Sequence, residues 1–272
     1  MTPSVAAVVL DWCRGPLLWR RSVEHLLPSL PVRSRIKTLV GRLGRTKAGR
    51  TALLAATVGD PRELRFSTAR WWPDETRGFE DLAFLFTSSQ LNHGIISQEL
   101  DEAALLYRLA RDVDGGAVVE IGRFKGGSTL LLAAALGGRA ELWSYDIHAS
   151  HQATYTGADL DEELRDALRR LSLEERVHLV VGDSRLVPPP EGPIELLFVD
   201  GDHSYEGVSA DWSHWGPSLA IGGHALFHDA IDHGGVGTYV DGVGRLMTEL
   251  DRDPTLVRRP NAGGIAHFVR QS

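Results

Sequence analysis

From about residue 100 to the C-terminus this sequence predicts an α/β fold with a mainly parallel sheet, preceded by a helix-prone extension over residues 1–99. Three observations carry that expectation. Strand-like and helix-like runs alternate along the second part of the chain, which implies a sheet covered by helices. Residues 116–129 read Gly-Ala-Val-Val-Glu-Ile-Gly-Arg-Phe-Lys-Gly-Gly-Ser-Thr, an apolar run that ends in an acid and passes through a glycine-punctuated loop into a helix start. Three successive strand-like runs end at or just before an acid: Glu120, Asp146 and Asp183.

The elements follow in order. Ala104, Leu105, Tyr107 and Leu109 share an apolar face and predict a helix over 101–112. A strand over 117–121 and a helix over 128–136 come next, with Ser128 placed to cap that helix. The pattern continues as strand 141–145, helix 159–171, strands 177–181 and 194–199, helix 205–215, strand 225–228 and a helix around 239–250. Two short strands near 255–257 and 265–269 close the chain as a hairpin, because Pro260-Asn261-Ala262-Gly263-Gly264 is a dense turn signal. Residues 1–99 are broken by Pro16, Pro28, Pro31, Pro61 and Pro73 and read as a basic helical extension or lid, leaving 100–272 as the α/β domain.

Composition narrows the function classes. A chain of 272 residues, 43% hydrophobic and 24% charged, is long enough for one α/β domain with an appendage. No apolar stretch approaches the ~20 residues of a membrane-spanning helix. One cysteine, Cys13, excludes an internal disulfide framework and fits a reducing cytoplasm. Residues 1–50 carry ten Lys/Arg against Asp11 and Glu24, a net +8, which leaves −15 for the other 222 residues of a chain whose total is −7. A basic arm of that kind can attract nucleic acid, or pack as a solvated helical face against an acidic body; the second reading is favoured here.

The chemistry gathers at the carboxyl ends of the strands. A loop that cradles pyrophosphate works through bare amides at a positive helix end, and the carboxylate of Glu120 would repel that ligand. A ligand with a positive group and a ribose suits an acidic turn better. Gly122 allows a tight turn, and Gly126 and Gly127 allow close approach to backbone amides. Asp146 lies about twenty residues after the loop, where an acid can accept both ribose hydroxyl hydrogens. Asp183 and Ser184 follow the next strand. The segment Phe198-Val199-Asp200-Gly201-Asp202-His203 delivers two acids and an imidazole to the same edge, and His228-Asp229 ends the neighbouring strand. Those groups suit a divalent cation or a general base, His203 having a reference pKa near ~6.5. His214, His224 and His233 read as packing residues.

Taken together these residues resemble the class I S-adenosylmethionine-dependent methyltransferases, in particular the type called methyltransferase family 24. Val-Val-Glu120-Ile-Gly122-Arg-Phe-Lys125-Gly126-Gly127-Ser128 is similar to the cofactor loop. Asp200-Gly-Asp202-His203-Ser-Tyr-Glu-Gly-Val, Pro217-x-Leu219-x-x-Gly222-Gly223 and Phe227-His228-Asp229 complete the likeness, which covers roughly residues 100–270. The resemblance implies a Rossmann-like seven-stranded sheet with an antiparallel last strand. It implies that Glu120, Gly122 and Ser128 contact the methionine part of the cofactor, with Lys125 and Gly126 in the same loop. Asp146 would hold the ribose, and Asp183 and Ser184 would lie near the adenine. Related metal-dependent O-methyltransferases place a metal-binding acid at the position of Asp200 and a basic catalytic residue at that of His203. Asp200, His228 and Asp229 are then the candidate ligands for Mg²⁺ or another divalent cation, although His228 departs from the usual acid or amide.

The expected activity is O-methylation of a small hydroxylated acceptor, a sugar or secondary metabolite, with His203 as base and Asp200 beside it. An RNA methyltransferase using the basic arm, or a non-catalytic cofactor-binding module, are the alternatives; nucleic acid is disfavoured by the acidic body, and a homo-oligomer is left open. Residues 50–100, with His93 among them, are expected to help build the acceptor pocket or an interface.

Overall fold

Five parallel strands form when apolar runs too short for helices alternate with amphipathic helices, and this chain follows that rule. In a computed structural model, residues 65–69, 72–86, 94–148, 157–230 and 240–272 are described, and all lie in one of the two units into which the chain divides, residues 64–88 with 93–272. The elements are α1 (Leu100–Arg111), β1 (Ala117–Ile121), α2 (Gly127–Leu136), β2 (Glu141–Asp146), α3 (Gly157–Arg170), β3 (Val177–Val181), β4 (Ile194–Val199), α4 (Tyr205–Trp215), β5 (Leu219–Phe227), α5 (Val240–Leu250), β6 (Leu256–Ala262) and β7 (Ile265–Arg270). The seven-stranded sheet runs β3-β2-β1-β4-β5-β7-β6, with β7 antiparallel to both neighbours. The basic segment 1–50, Cys13, His93 and His233 lie outside the described residues.

Both faces of the central strands are covered, so β1 and β4 need unbroken apolar sequence rather than alternation. All five residues of β1 are buried, and so are Leu196 to Val199 of β4. Leu196, Phe198 and Leu226 pack on one side with α1, α2 and α3, where Phe66, Leu82, Leu85, Ile95 and Ile96 join the same core. Leu197, Phe227 and Phe268 pack on the other side with Trp215, Val243 and Met247. Helix α2 is buried nearly all round, which explains its run of Leu and Ala with no polar stripe, and Gly137 ends it in a left-handed cap at φ 54°. None of the described helices is long and apolar enough to cross a membrane.

Three local expectations are corrected. Ser128 does not cap α2: the cap position is Gly126, at φ 83°, and Ser128 is buried inside the first turn. The dense turn signal at 260–264 is shorter in space than in sequence, because β6 runs through Pro260 to Ala262 and the turn narrows to Gly263 and Gly264. Pro260 is tolerated because β6 is an edge strand with a register shift between Arg259 and Ala262. Strand β5 begins at Leu219, six residues before the expected start, and absorbs Gly222-Gly223 at a register shift against β4.

The feature that positions the site is the junction of β1 and β4. Asp200 donates its N–H to the Ile121 carbonyl at 2.8 Å, and Gly122 donates to Tyr145 O at 2.9 Å. Gly122 sits at φ 87°, and a Cβ there would lie 2.2 Å from the Asp200 carbonyl oxygen. Backbone strain and backbone collision therefore act together on any larger residue. Gly122→Ala is expected to lower stability by about 2 kcal/mol or more. Urea unfolding of the two proteins measures it, and equal midpoints would mean that the loop does not rest on β4.

Candidate active site

The acids and imidazoles predicted at the carboxyl edge divide into two groups, one in and around the glycine loop and one beyond β4 and β5. In the loop group, Glu120 turns inward. It is 0% exposed, and its Oε2 accepts hydrogen bonds from Thr129 and Ser144, both at 2.5 Å. Burial pushes its carboxyl pKa up, while the hydroxyls of Ser128, Ser144 and Thr129 pull against that shift. Ser128 does so without the geometry of a hydrogen bond, and Oε1 is left unpartnered. The side chain expected to touch the methionine part of a cofactor thus braces the start of α2 against β2.

Asp146 joins the end of β2 to the loop. Its Oδ2 accepts the N–H groups of Arg123 and Phe124 at 3.1 and 3.0 Å, and its Oδ1 accepts that of His148 at 2.6 Å. Phe124 and Ile147 on either side are 44% and 60% exposed, apolar side chains flanking a partly exposed carboxylate. Lys125 is buried with its ammonium 3.4 Å from the Gly94 carbonyl, and burial together with Arg65 lowers its pKa to about 8. Asp183 is paired with Arg185, at 2.6 Å, which holds its carboxyl down at about 2, while Ser184 donates instead to Asp211 at 2.6 Å. Asp183 and Ser184, adjacent in sequence, therefore engage different partners.

Under the loop lies a charge cluster that sequence reasoning missed. Arg123 is 1% exposed and grips Asp161 with two hydrogen bonds of 2.7 Å. Its Nη1 also donates to the carbonyls of Ser144 and Val180, both at 2.9 Å, so one guanidinium ties β2, β3, α3 and the loop together. His148 adds its Nε2 at 2.9 Å from Asp161. Arg123 within the loop motif was the only visible signal; Asp161 is one acid among several on α3.

The second group is an alternating line of carboxylates and imidazoles. Glu102 Oε2 lies 3.2 Å from His228 Nε2, and His228 Nδ1 lies 3.1 Å from Asp200 Oδ1. His203 Nε2 is 3.2 Å from that same Asp200 oxygen, and His203 Nδ1 is 3.2 Å from Asp229. Gln98 donates its amide to the other Asp200 oxygen at 2.7 Å. Burial alone would lower the pKa of both imidazoles, but Asp200 and Asp229 raise that of His203, and Asp200, Asp229 and Glu102 drive that of His228 up to about 12.

Among the described residues, the group whose ligand atoms converge within 4.8 Å is Asp200, His203 and Asp229. His228, expected as a ligand, is engaged between Asp200 and Glu102 and kept protonated, so His203 stands in its place. Asp202 faces away and accepts the Ser204 N–H at 3.0 Å as a turn former. His214 and His224 are structural, bonded to Val187 O and His267.

A strand-ordered carboxyl edge of this kind, with an acid-ended loop and an acid–imidazole line beside it, lies where open α/β sheets bind their ligands. Residues 119–230 match a family described as methyltransferase domain. The chain is similar to a catechol O-methyltransferase of Mycobacterium tuberculosis, 26% identical over 166 residues; the match spans 60% of this chain and 66% of the relative, just under two thirds of its length. Two solved structures share the fold. One is cofactor-bound Rv0187 from MTB, with TM-score 0.53 and 21% identity over 65% of this chain and 83% of that one. The other is the O-methyltransferase NovP, with TM-score 0.53 and 16% identity over 78% and 97%.

The Arg123–Asp161 pair fixes a dependence of stability on pH. Burial raises the pKa of Asp161, but Arg123 and then His148 bring it below the ordinary value. A carboxyl whose folded pKa lies below its unfolded value of ~3.9 stabilises fully above that pH, and the contribution is lost as pH falls through the folded pKa. Asp161→Asn should cost about 3–5 kcal/mol at pH 7 by leaving Arg123 buried without its counter-charge. Urea unfolding across pH should show the gap between the two proteins shrinking below ~3.9; a gap independent of pH would remove the ion pair from the account.

Proposed function

We propose that this protein methylates a hydroxyl oxygen on a small-molecule acceptor, a sugar or other secondary metabolite, using S-adenosylmethionine, with His203 taking the hydroxyl proton. The observation that carries the reading is the seating of His203 between Asp200 and Asp229, next to the loop that ends β1. The relative's name, catechol O-methyltransferase, supports an oxygen acceptor.

The residues fit the cofactor. Asp146 is partly exposed, and its Oδ1 accepts a single N–H, which leaves lone pairs for ribose hydroxyls. Phe124 and Ile147 offer apolar surface on each side of it. Gly122, Gly126 and Ser128 shape the backbone above, Lys125 adds a cation to the loop, and Asp183 and Ser184 border the β3 end; these are the proposed cofactor-side residues. S-adenosylmethionine supplies, when bound, a methyl group already activated on a sulfonium.

The protein then has to orient an acceptor and receive a proton. Asp200 faces the Nε2 of His203 and stabilises the imidazolium, while the Nδ1 lone pair, exchanging the more exposed Asp229 for the acceptor, would receive the hydroxyl proton. Positioning supplies most of the remaining acceleration.

Asp200, His203 and Asp229 also have the donor chemistry to hold a divalent cation, which would polarise the acceptor oxygen. The base reading is favoured because both Asp200 oxygens already face protein donors, Oδ1 two imidazoles and Oδ2 the Gln98 amide.

His203→Ala is expected to lower turnover roughly 10²–10⁴-fold with S-adenosylhomocysteine affinity unchanged, read by a methyl-transfer assay over hydroxylated metabolites and by calorimetry. Retained turnover in this variant would sink the base assignment. Dialysis against EDTA should leave wild-type turnover intact; loss that Mg²⁺ or Mn²⁺ restores would instead establish the cation reading.

A further inference from the structure

We propose that Glu102 is a positioning residue for methyl transfer, acting through the His228 imidazole to hold the Asp200 carboxylate against His203. The inference rests on the roles given above to Asp200 and His203, and it adds a residue from α1, outside the matched region 119–230.

Glu102 stands at the third position of α1, where it closes a capping box by accepting the Glu99 N–H at 2.7 Å. A capping box needs no more than that contact and is at home on a solvated surface. Here the glutamate is 2% exposed, and burying a carboxylate is costly unless its oxygens are fully engaged. Its Oε1 takes the Gly264 N–H at 2.5 Å, and its Oε2 reaches His228 Nε2 at 3.2 Å. The β6–β7 turn is shaped around this side chain: Gly263 adopts φ 51°, and a Cβ there would lie 2.6 Å from the Glu102 Cγ.

His228 has a fixed place as well. Its ring meets Phe198 edge-on at 6.4 Å between centroids, and its Nδ1 faces Asp200 at 3.1 Å and Asp229 at 3.5 Å. Both ring nitrogens thus face carboxylates. Without the Glu102 acceptor the ring loses the hydrogen-bond partner that fixes its rotation, and Asp200 Oδ1 loses the fixed position of one of the two imidazoles beside it. Three elements distant in sequence, the start of α1, the end of β5 and the end of β4, converge through one imidazole on the acid beside His203.

The competing reading is that Glu102 serves only the helix cap and the hairpin. Glu102→Gln keeps the side chain's volume and an oxygen for Gly264 but replaces Oε2, which serves both His228 and the Glu99 N–H, so the two readings are separated by kcat and by the double variant with His228. The proposal expects kcat to fall roughly 10–100-fold, as when an outer partner of a reactive group is removed. The acceptor KM and the S-adenosylhomocysteine Kd should stay within about twofold. His228→Asn should lower kcat similarly, and the double variant should fall no further than His228→Asn alone.

Unchanged kcat with a lowered melting temperature would reduce Glu102 to a cap, and multiplying effects would show that it does not act through His228. If Glu102→Gln does not fold, Glu102→Asp, whose shorter arm also withdraws from His228, is held to the same expectations. A further readout stands apart from turnover. The ¹⁵N signals of the His228 ring, recorded with S-adenosylhomocysteine and no acceptor, should move in Glu102→Gln, and unmoved signals would overturn the proposal. A wild-type protein that methylates no hydroxyl acceptor, with those signals moving, would refute the O-methylation reading while leaving the Glu102–His228 contact in place.

Discussion

The contact between the loop after β1 and the end of β4 is the constraint on which the rest of the site depends. The adjacency of β1 and β4 is topological, since the chain leaves β1, builds β2 and β3 on one side and returns to β1 with β4 on the other. At such a reversal the loops that follow two neighbouring strands depart in opposite directions, and a crevice opens between them. Here the crevice has the Asp146-anchored loop on one side and the Asp200–His203 segment on the other. Gly122 lets the two meet at backbone distance, so that groups separated by some eighty residues in sequence share one edge.

Two buried charge systems flank that contact, and they solve the same physical problem differently. Arg123 and Asp161 satisfy each other in a bidentate pair, and two backbone carbonyls and the His148 ring take the guanidinium's other contacts. That arrangement is closed, and its role is to fix the β2–β3 edge beneath the loop that Asp146 holds. The line from Glu102 to Asp229 is open at its far end, where Asp229 is more exposed than the groups behind it. A closed ion pair suits a foundation. An open chain of alternating acid and imidazole suits a place where a proton arrives, because each member stabilises the charge on the next.

The legible part of the site was the part that lies at strand ends. Glu120, Asp146, Asp200 and Asp229 each follow an apolar run, so periodicity alone placed them at one edge, and the order of strands followed from their alternation with helices. Direction of side chains was not legible. Glu120 turns inward because Thr129 and Ser144, nine and twenty-four residues away, present hydroxyls there. His228 was read as a ligand because it follows β5, yet its partner Glu102 lies 126 residues earlier on a helix whose pattern signals only a cap. Asp161 sits among other acids on α3, and nothing local distinguishes the one that meets Arg123. The closing hairpin was legible but its bounds were not: ladder pairing of β6 with β7 carried the strand through a proline that local turn propensity would have made a boundary.

The acid–imidazole line and the loop after β1 are held by different kinds of contact. The loop is held by backbone groups and by Arg123, whose partners are a carboxylate, two carbonyls and the His148 ring. The acid–imidazole line is held by side chains from α1 and the ends of β4 and β5, and by Gln98 in the segment just before α1. The elements that converge on Asp200 include Gln98 and Glu102, which precede the region 119–230 matched as a methyltransferase domain.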